Sequence, residues 1–144
     1  MQDRTIRAII EDQELLTAVA GTSVSEAARR MKQRQVGAIL VVENDTLAGI
    51  FTERDALFRV VAEGRDPNKT LLADVMTRNP KTIHPDQPFG RALGIMHEGR
   101  FRHVPVVEDG RPMGMVSARD ALGPELEDFV YGFLCEEQAR DVLA

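Results

Sequence analysis

The chain has 144 residues, 43% of them hydrophobic and 28% charged, a balance that fits a folded globular protein and excludes a disordered one. A formal net charge of -5 excludes general nucleic-acid binding and docking on an anionic membrane surface, since both need a surplus of Lys and Arg. The longest apolar run, Val36–Val42, is far short of the roughly 20 residues a membrane helix needs. Met1-Gln2-Asp3-Arg4 lacks the apolar stretch of a secretory signal, and the lone Cys135 rules out an internal disulfide, so a reducing cytoplasm is the expected location.

In chain order, Ile6, Ile9 and Ile10 suggest a short N-terminal helix, and a first strand is expected near Leu16–Val19. Val24, Ala27, Ala28 and Met31 follow at the spacing of an amphipathic helix. The β-rich run Ala38–Val42, the turn Glu43-Asn44-Asp45 and the short strand Gly49–Phe51 predict a hairpin, with a second helix starting at Thr52. The stretch 64–68 breaks the chain. A strand near Thr82–His84, a helix with Phe89, Ala92, Leu93 and Met96 in its stripe, a hairpin from Val104–Val107 through Glu108-Asp109-Gly110 to Gly114–Val116, and a helix from Ser117 then repeat the order.

The repetition is literal. Shifted by 65 residues, Val24–Leu57 aligns without a gap on Phe89–Leu122, with ten of 34 positions identical. Each unit reads β-α-β-β-α, a mixed α/β fold. The expected division is residues 1–70 for the first unit with its N-terminal helix, 71–124 for the second, and 125–144 as a helical extension. Neither unit buries both faces of a three-stranded sheet alone, so the two are expected to pack together.

Both copies carry Gly-h-h-[Thr/Ser]-x-Arg-Asp, where h is apolar: Gly49 to Asp55, and Gly114 to Asp120. A hydroxyl three residues before a carboxylate is the pattern of a capping box, which satisfies free N–H groups at a helix start. The duplicated arginines, Arg54 and Arg119, are not needed for capping, and glycine inside a strand marks a close approach to the backbone. Those additions point to nucleotide binding. The helix start and hydroxyl suit a phosphate, the arginine adds a charge-assisted fork, and the aspartate suits a sugar diol.

With Asp74-Val75-Met76, Asn79-Pro80 and Arg102-His103-Val104-Pro105-Val106-Val107, these motifs resemble a CBS-domain pair, or Bateman module, over roughly residues 10–123. The resemblance implies two CBS repeats about a pseudo-twofold axis with two clefts between them. It implies adenosine-containing ligands there: AMP, ADP, ATP, NAD(H) or S-adenosylmethionine. Carried over, Thr52 and Asp55 would contact phosphate and ribose in one cleft, and Ser117 and Asp120 in the other. Arg102 or His103 would supply a basic phosphate contact, with Val104-Pro105 beside it and Gly37-Ala38 at the matching place of the first repeat, and main chain near Thr17-Ala18 and Thr82-Ile83-His84 would line the adenine. Because the first repeat has Gly37-Ala38 where the second has Arg102-His103, the cleft of Ser117 and Asp120 is expected to prefer the more anionic ligand.

No nucleophile elbow, P-loop or Gly-rich dinucleotide turn is present in the sequence, and an enzyme is not expected. His84, His97 and His103 lack metal-ligand spacing, so no metal site is expected, and His97 is assigned to a solvated helix face. Leu126, Phe129, Val130, Phe133 and Leu134 follow helical spacing beyond the repeats. They suit either packing on the same chain, with the N-terminal helix docked there too, or a dimer contact, since Phe129, Tyr131 and Phe133 hold three of the seven aromatics. A homodimer is expected. The leading functional expectation is a nucleotide sensor acting on an effector protein in trans; the alternative is a scaffold that dimerises without a ligand.

Overall fold

The computed structural model describes residues 4–143, the side chains of residues 122, 124–130 and 143 excepted. Helix α1 (Ile6–Ile10) is followed by β1 (Thr17–Ala18), α2 (Val24–Arg34), β2 (Ala38–Glu43) and β3 (Thr46–Thr52). Helix α3 (Glu53–Asp55) runs on as a π-helix, Ala56–Val61, and α4 (Leu72–Val75) leads to β4 (Thr77–Arg78). The second half has α5 (Phe89–Gly99), β5 (His103–Glu108), β6 (Arg111–Ser117), a 3-10 turn over Ala118–Leu122 and the 21-residue α6 (Gly123–Leu143).

The helices form where the periodicity predicts. Ser23 caps α2 by accepting the Glu26 N–H at 3.2 Å, and Gln35 ends the helix in the left-handed region at φ 53°. The stripe of α2 buries Val24, Ala27 and Met31, while Ala28, expected in it, falls at its edge and is exposed. On α5 the equivalent residues Phe89, Ala92 and Met96 are buried.

Both hairpins turn through two residues of positive φ, Asn44 and Asp45 in the first, Asp109 and Gly110 in the second. This is the turn whose twist matches that of paired strands. Each then carries a bulge at the same place, between Val41 and Val42 and between Val106 and Val107.

The first sheet has the order β1-β2-β3-β4, with β1 parallel to β2 and the rest antiparallel. Strand β4 is absent from the sequence expectation, because two polar residues carry no alternating pattern. The second sheet is the pair β5-β6, extended on one side by a parallel bridge from Ile83 to Val106. On its other side the Gln13 side chain completes the ladder. Its amide nitrogen donates to the Met115 carbonyl at 2.8 Å, and its oxygen accepts the Met115 N–H at 2.7 Å.

Gln13 therefore does for β6 what β4 does for β3. The correspondence extends further: Thr5 bridges to Pro88 as Leu71 bridges to Ser23. Helix α1 precedes the first repeat in sequence, yet Ile6 and Ile10 lie in the core of the second with Ile83, Phe89, Val104 and Val116. Helix α4 places Leu72 and Val75 in the core of the first, with Ile39, Val41 and Phe51. Each repeat is closed by a strap of the same design. Ala38, Leu40 and Ile50 form a third cluster, with Leu15, Leu47 and Met115 packed on it, at the seam between repeats. There the Leu47 N–H donates to the Gly110 carbonyl at 3.1 Å.

The straps account for the strand glycines. A Cβ on Gly49 would lie 2.8 Å from the Thr77 carbonyl oxygen and from Met76 Sδ, and one on Gly114 would lie 2.9 Å from Ile10 Cβ and Gln13 Oε1. The close approach that the glycines announce is thus made by the chain itself.

Candidate functional site

A cleft of about 810 Å³ opens where the end of β3 meets the start of β5. Its walls come from both repeats. Thr52, Glu53, Arg54 and Asp55 enter from the first, with Ile50, Leu57, Phe58 and Arg59 behind them. Thr77, Asn79, Pro80 and Lys81 form one side, and Gly99-Arg100-Phe101-Arg102-His103 closes the other.

Both motifs form capping boxes. Thr52 Oγ1 accepts the Asp55 N–H at 3.2 Å, while Asp55 Oδ2 accepts the Thr52 N–H at 3.1 Å. Asp55 is 7% exposed, and its carboxylate also lies 3.6 Å from Arg59 Nε and accepts from the Thr77 hydroxyl at 3.4 Å. Arg59 is fixed in turn by donating to the Val75 and Met76 carbonyls. In the second motif Asp120 Oδ2 accepts the Ser117 N–H at 2.8 Å. Asp55 thus ties α3 to β4. The Thr52 oxygen accepts one bond, so its own O–H remains able to donate to a ligand.

The basic segment of the second repeat lines a cleft built with the motif of the first, although His103 remains the ladder partner of Ser117 in the β5–β6 pair. Arg102 and His103 were expected beside Ser117 and Asp120, but the cleft they line is the one holding Thr52 and Asp55. Packing at the seam causes this: Arg54 reaches across to donate to the Arg100 carbonyl at 2.9 Å, and a Cβ on Gly37 would lie 3.3 Å from His103 Cε1. Burial holds the His103 imidazole below its usual value, with Glu53 and Asp120 pulling it up and Arg102 and Arg119 pushing it down. It is neutral near pH 7.

Several expected residues lie outside this cleft. Ser117, Arg119, Asp120, Gly37 and Ala38 are not among its lining residues, nor are Val104 and Pro105, which are buried within β5. Thr17 and Ala18 belong to β1, and Ala18 is in the first core. Thr82 is exposed and Ile83 is in the second core, while Asn79-Pro80-Lys81, just upstream, reach the cleft instead. Phe58, Lys81 and Arg100 line the cleft but were missed, because no motif signals them.

His84 takes part in a different grouping. Its ring, Asp86 and Glu108 place possible ligand atoms within 4.8 Å of one another. Arg7 is already there, 2.9 Å from Asp86 Oδ1 and 3.9 Å from Glu108 Oε2, and the Asp86 N–H donates to His84 Nδ1. The grouping reads as an ion-pair cluster. Of the C-terminal side chains, Phe129 lies outside the described residues, while Tyr131, Phe133 and Leu134 are exposed. No described helix is long and apolar enough to cross a membrane.

The family model described as CBS domain matches residues 6–62 and again 72–124. The chain is 43% identical over 108 residues to the CBS domain-containing protein CBSCBSPB3 of Arabidopsis thaliana, an alignment covering 74% of this chain and only 19% of that relative. It is 38% identical over 116 residues to the mitochondrial CBSX3 of the same plant, covering 77% and 56% of the two chains. Among solved structures, a protein with CBS domains from Burkholderia ambifaria superposes with a TM-score of 0.80 at 30% identity, covering 87% of this chain and 96% of that one. The CBS domain pair of protein MJ0100, solved with 5′-methylthioadenosine and S-adenosyl-L-methionine, gives a TM-score of 0.73 at 28% identity, covering 83% and 93%.

Proposed function

The chain belongs to the CBS domain family and carries the domain twice, and from that premise we propose that it senses an adenosine-containing nucleotide in the Thr52–Asp55 cleft and signals to a partner protein in trans. The observation that carries this reading is the composition of the cleft. Apolar surface from Ile50, Leu57 and Phe58 suits a base, and the Thr52 hydroxyl and the Arg100–His103 segment suit phosphate. The bound adenosine compounds of the MJ0100 pair support the ligand class. Ligand contacts on both repeats would bias their packing at the seam, which a partner can read. Val61, with Tyr131 and Phe133 of α6, leaves apolar surface for a second copy of the chain, so a homodimer belongs to the proposal.

A second reading has an observation of its own. Both aspartates form capping boxes, so the motifs have a structural role without any ligand. A dimerising scaffold would need nothing more.

Thermal unfolding with ATP, ADP, AMP, NADH and S-adenosylmethionine separates the two. A ligand at about 100 times its dissociation constant stabilises by roughly 2.7 kcal/mol. The sensor is expected to show that shift with at least one ligand, lost in Thr52→Val and kept in Ser117→Val. Absence of any shift, from protein shown to be nucleotide-free, would sink it and leave the scaffold.

A further inference from the structure

The internal repeat supplies a control for the charges of the cleft. Five Arg and Lys side chains line it against two carboxylates, on a chain whose net charge is -5. Arg59 is held by Asp55 and two carbonyls, and Arg54 by the Arg100 carbonyl. Among the described residues, the side chains of Lys81, Arg100 and Arg102 form no ion pair and no hydrogen bond, yet all three converge on the same opening.

The fold does not require cations there. Sixty-five residues earlier the equivalent positions are Leu16, Gln35 and Gly37, none of them charged. Gln35 takes the same left-handed helix-ending conformation as Arg100, φ 53° against 57°, so that conformation alone does not call for arginine. The positions equivalent to Thr77 and Asn79 are Asp12 and Glu14. The three unpaired cations therefore belong to one side of the repeat and have no counterpart on the other.

Unpaired like charges gathered at one opening repel one another, and a polyanion relieves that repulsion. We infer that this cleft selects nucleoside di- and triphosphates over monophosphates and over phosphate-free adenosine compounds, with Lys81, Arg100 and Arg102 gripping the phosphate chain and one ligand bound per chain. The inference rests on the nucleotide reading above and narrows it, because the adenosine ligands of the MJ0100 pair carry no phosphate. A monophosphate brings a charge of about −2, and each further phosphate adds to it, so three unpaired cations are better neutralised by a di- or triphosphate. Each added phosphate also brings further charged oxygens that accept charge-assisted bonds.

The test is isothermal titration of the whole chain with ATP, ADP, AMP, adenosine, S-adenosylmethionine and inorganic tripolyphosphate, at low and high salt. ATP and ADP are expected to bind at least about tenfold more tightly than AMP, one ligand per chain, with affinity falling as salt rises. Lys81→Gln and Arg102→Gln are each expected to weaken ATP by about tenfold while leaving adenosine unchanged. Both residues are exposed, so their unfolding midpoints without ligand should match the parent and show that folding is intact.

AMP, adenosine or S-adenosylmethionine binding as tightly as ATP would overturn the polyphosphate inference and leave the adenosine reading in place. Tripolyphosphate matching ATP would show an anion patch without nucleoside recognition and overturn both. So would the failure of every ligand to bind.

Discussion

Asp55 and Asp120 occupy equivalent positions in the two repeats and have different surroundings. Each closes a capping box, but Asp55 also meets Arg59 and Thr77 and is buried, whereas Asp120 is half-exposed. Loss of a cap costs about 1 kcal/mol, and loss of the contacts to exposed Arg59 and part-buried Thr77 adds about 0.5–1 each. Asp55→Ala is therefore expected to destabilise by about 2–3 kcal/mol and Asp120→Ala by about 1, measured by urea unfolding. Equal losses would mean that the Arg59 and Thr77 contacts contribute nothing.

His103 belongs to the same scale. Its folded pKa lies below the ordinary value of 6.5, chiefly through burial, so the unfolded chain takes up a proton more readily than the folded one. The stability this supports is intact above about pH 6.5 and lost as pH falls through that value toward the folded pKa. His103→Gln is expected to flatten the fall in unfolding free energy between pH 7 and pH 5.5. An unchanged slope would place the titration elsewhere.

The elements most exposed to mutation are the straps. Ile6 is fully buried, so Ile6→Ala should cost about 2–5 kcal/mol although the residue is near the chain start. Hydrogen exchange would locate that loss in β5 and β6 rather than in β2 and β3, because α1 closes the second core. Gly49→Ala meets a backbone oxygen that cannot swing aside, and a cost of about 1–3 kcal/mol is expected. Gly94, in the middle of α5, meets nothing within 4 Å, so Gly94→Ala should instead stabilise by about 0.5–1 kcal/mol. Chemical denaturation of the pair decides whether strap contact or helix propensity governs each glycine.

At the scale of the molecule, local signals and long-range packing divide cleanly. The duplication, the α2 and α5 stripes, the two-residue turns and the capping boxes all depend on residues close in sequence, and each was legible. Periodicity and turn chemistry act over a few residues, so one chain suffices to read them. What approaches Gly49 and Gly114 was not legible, because Met76, Ile10 and Gln13 come from segments distant in sequence or without pattern. Nor was the exchange that sends α1 to the second core, with Gln13 and Met115 meeting across 102 positions.

The cleft shows the same division most plainly. Sequence alone determined that two Gly-h-h-[Thr/Ser]-x-Arg-Asp motifs start helices after matched hairpins, and that only the second repeat carries Arg102-His103. Tertiary structure alone decided that those basic residues also line the cleft of Thr52 and Asp55, which belong to the other repeat. The reason is geometric: the partner of a strand end is set by how two sheets pack at a seam, and no residue's identity records which sheet it will meet.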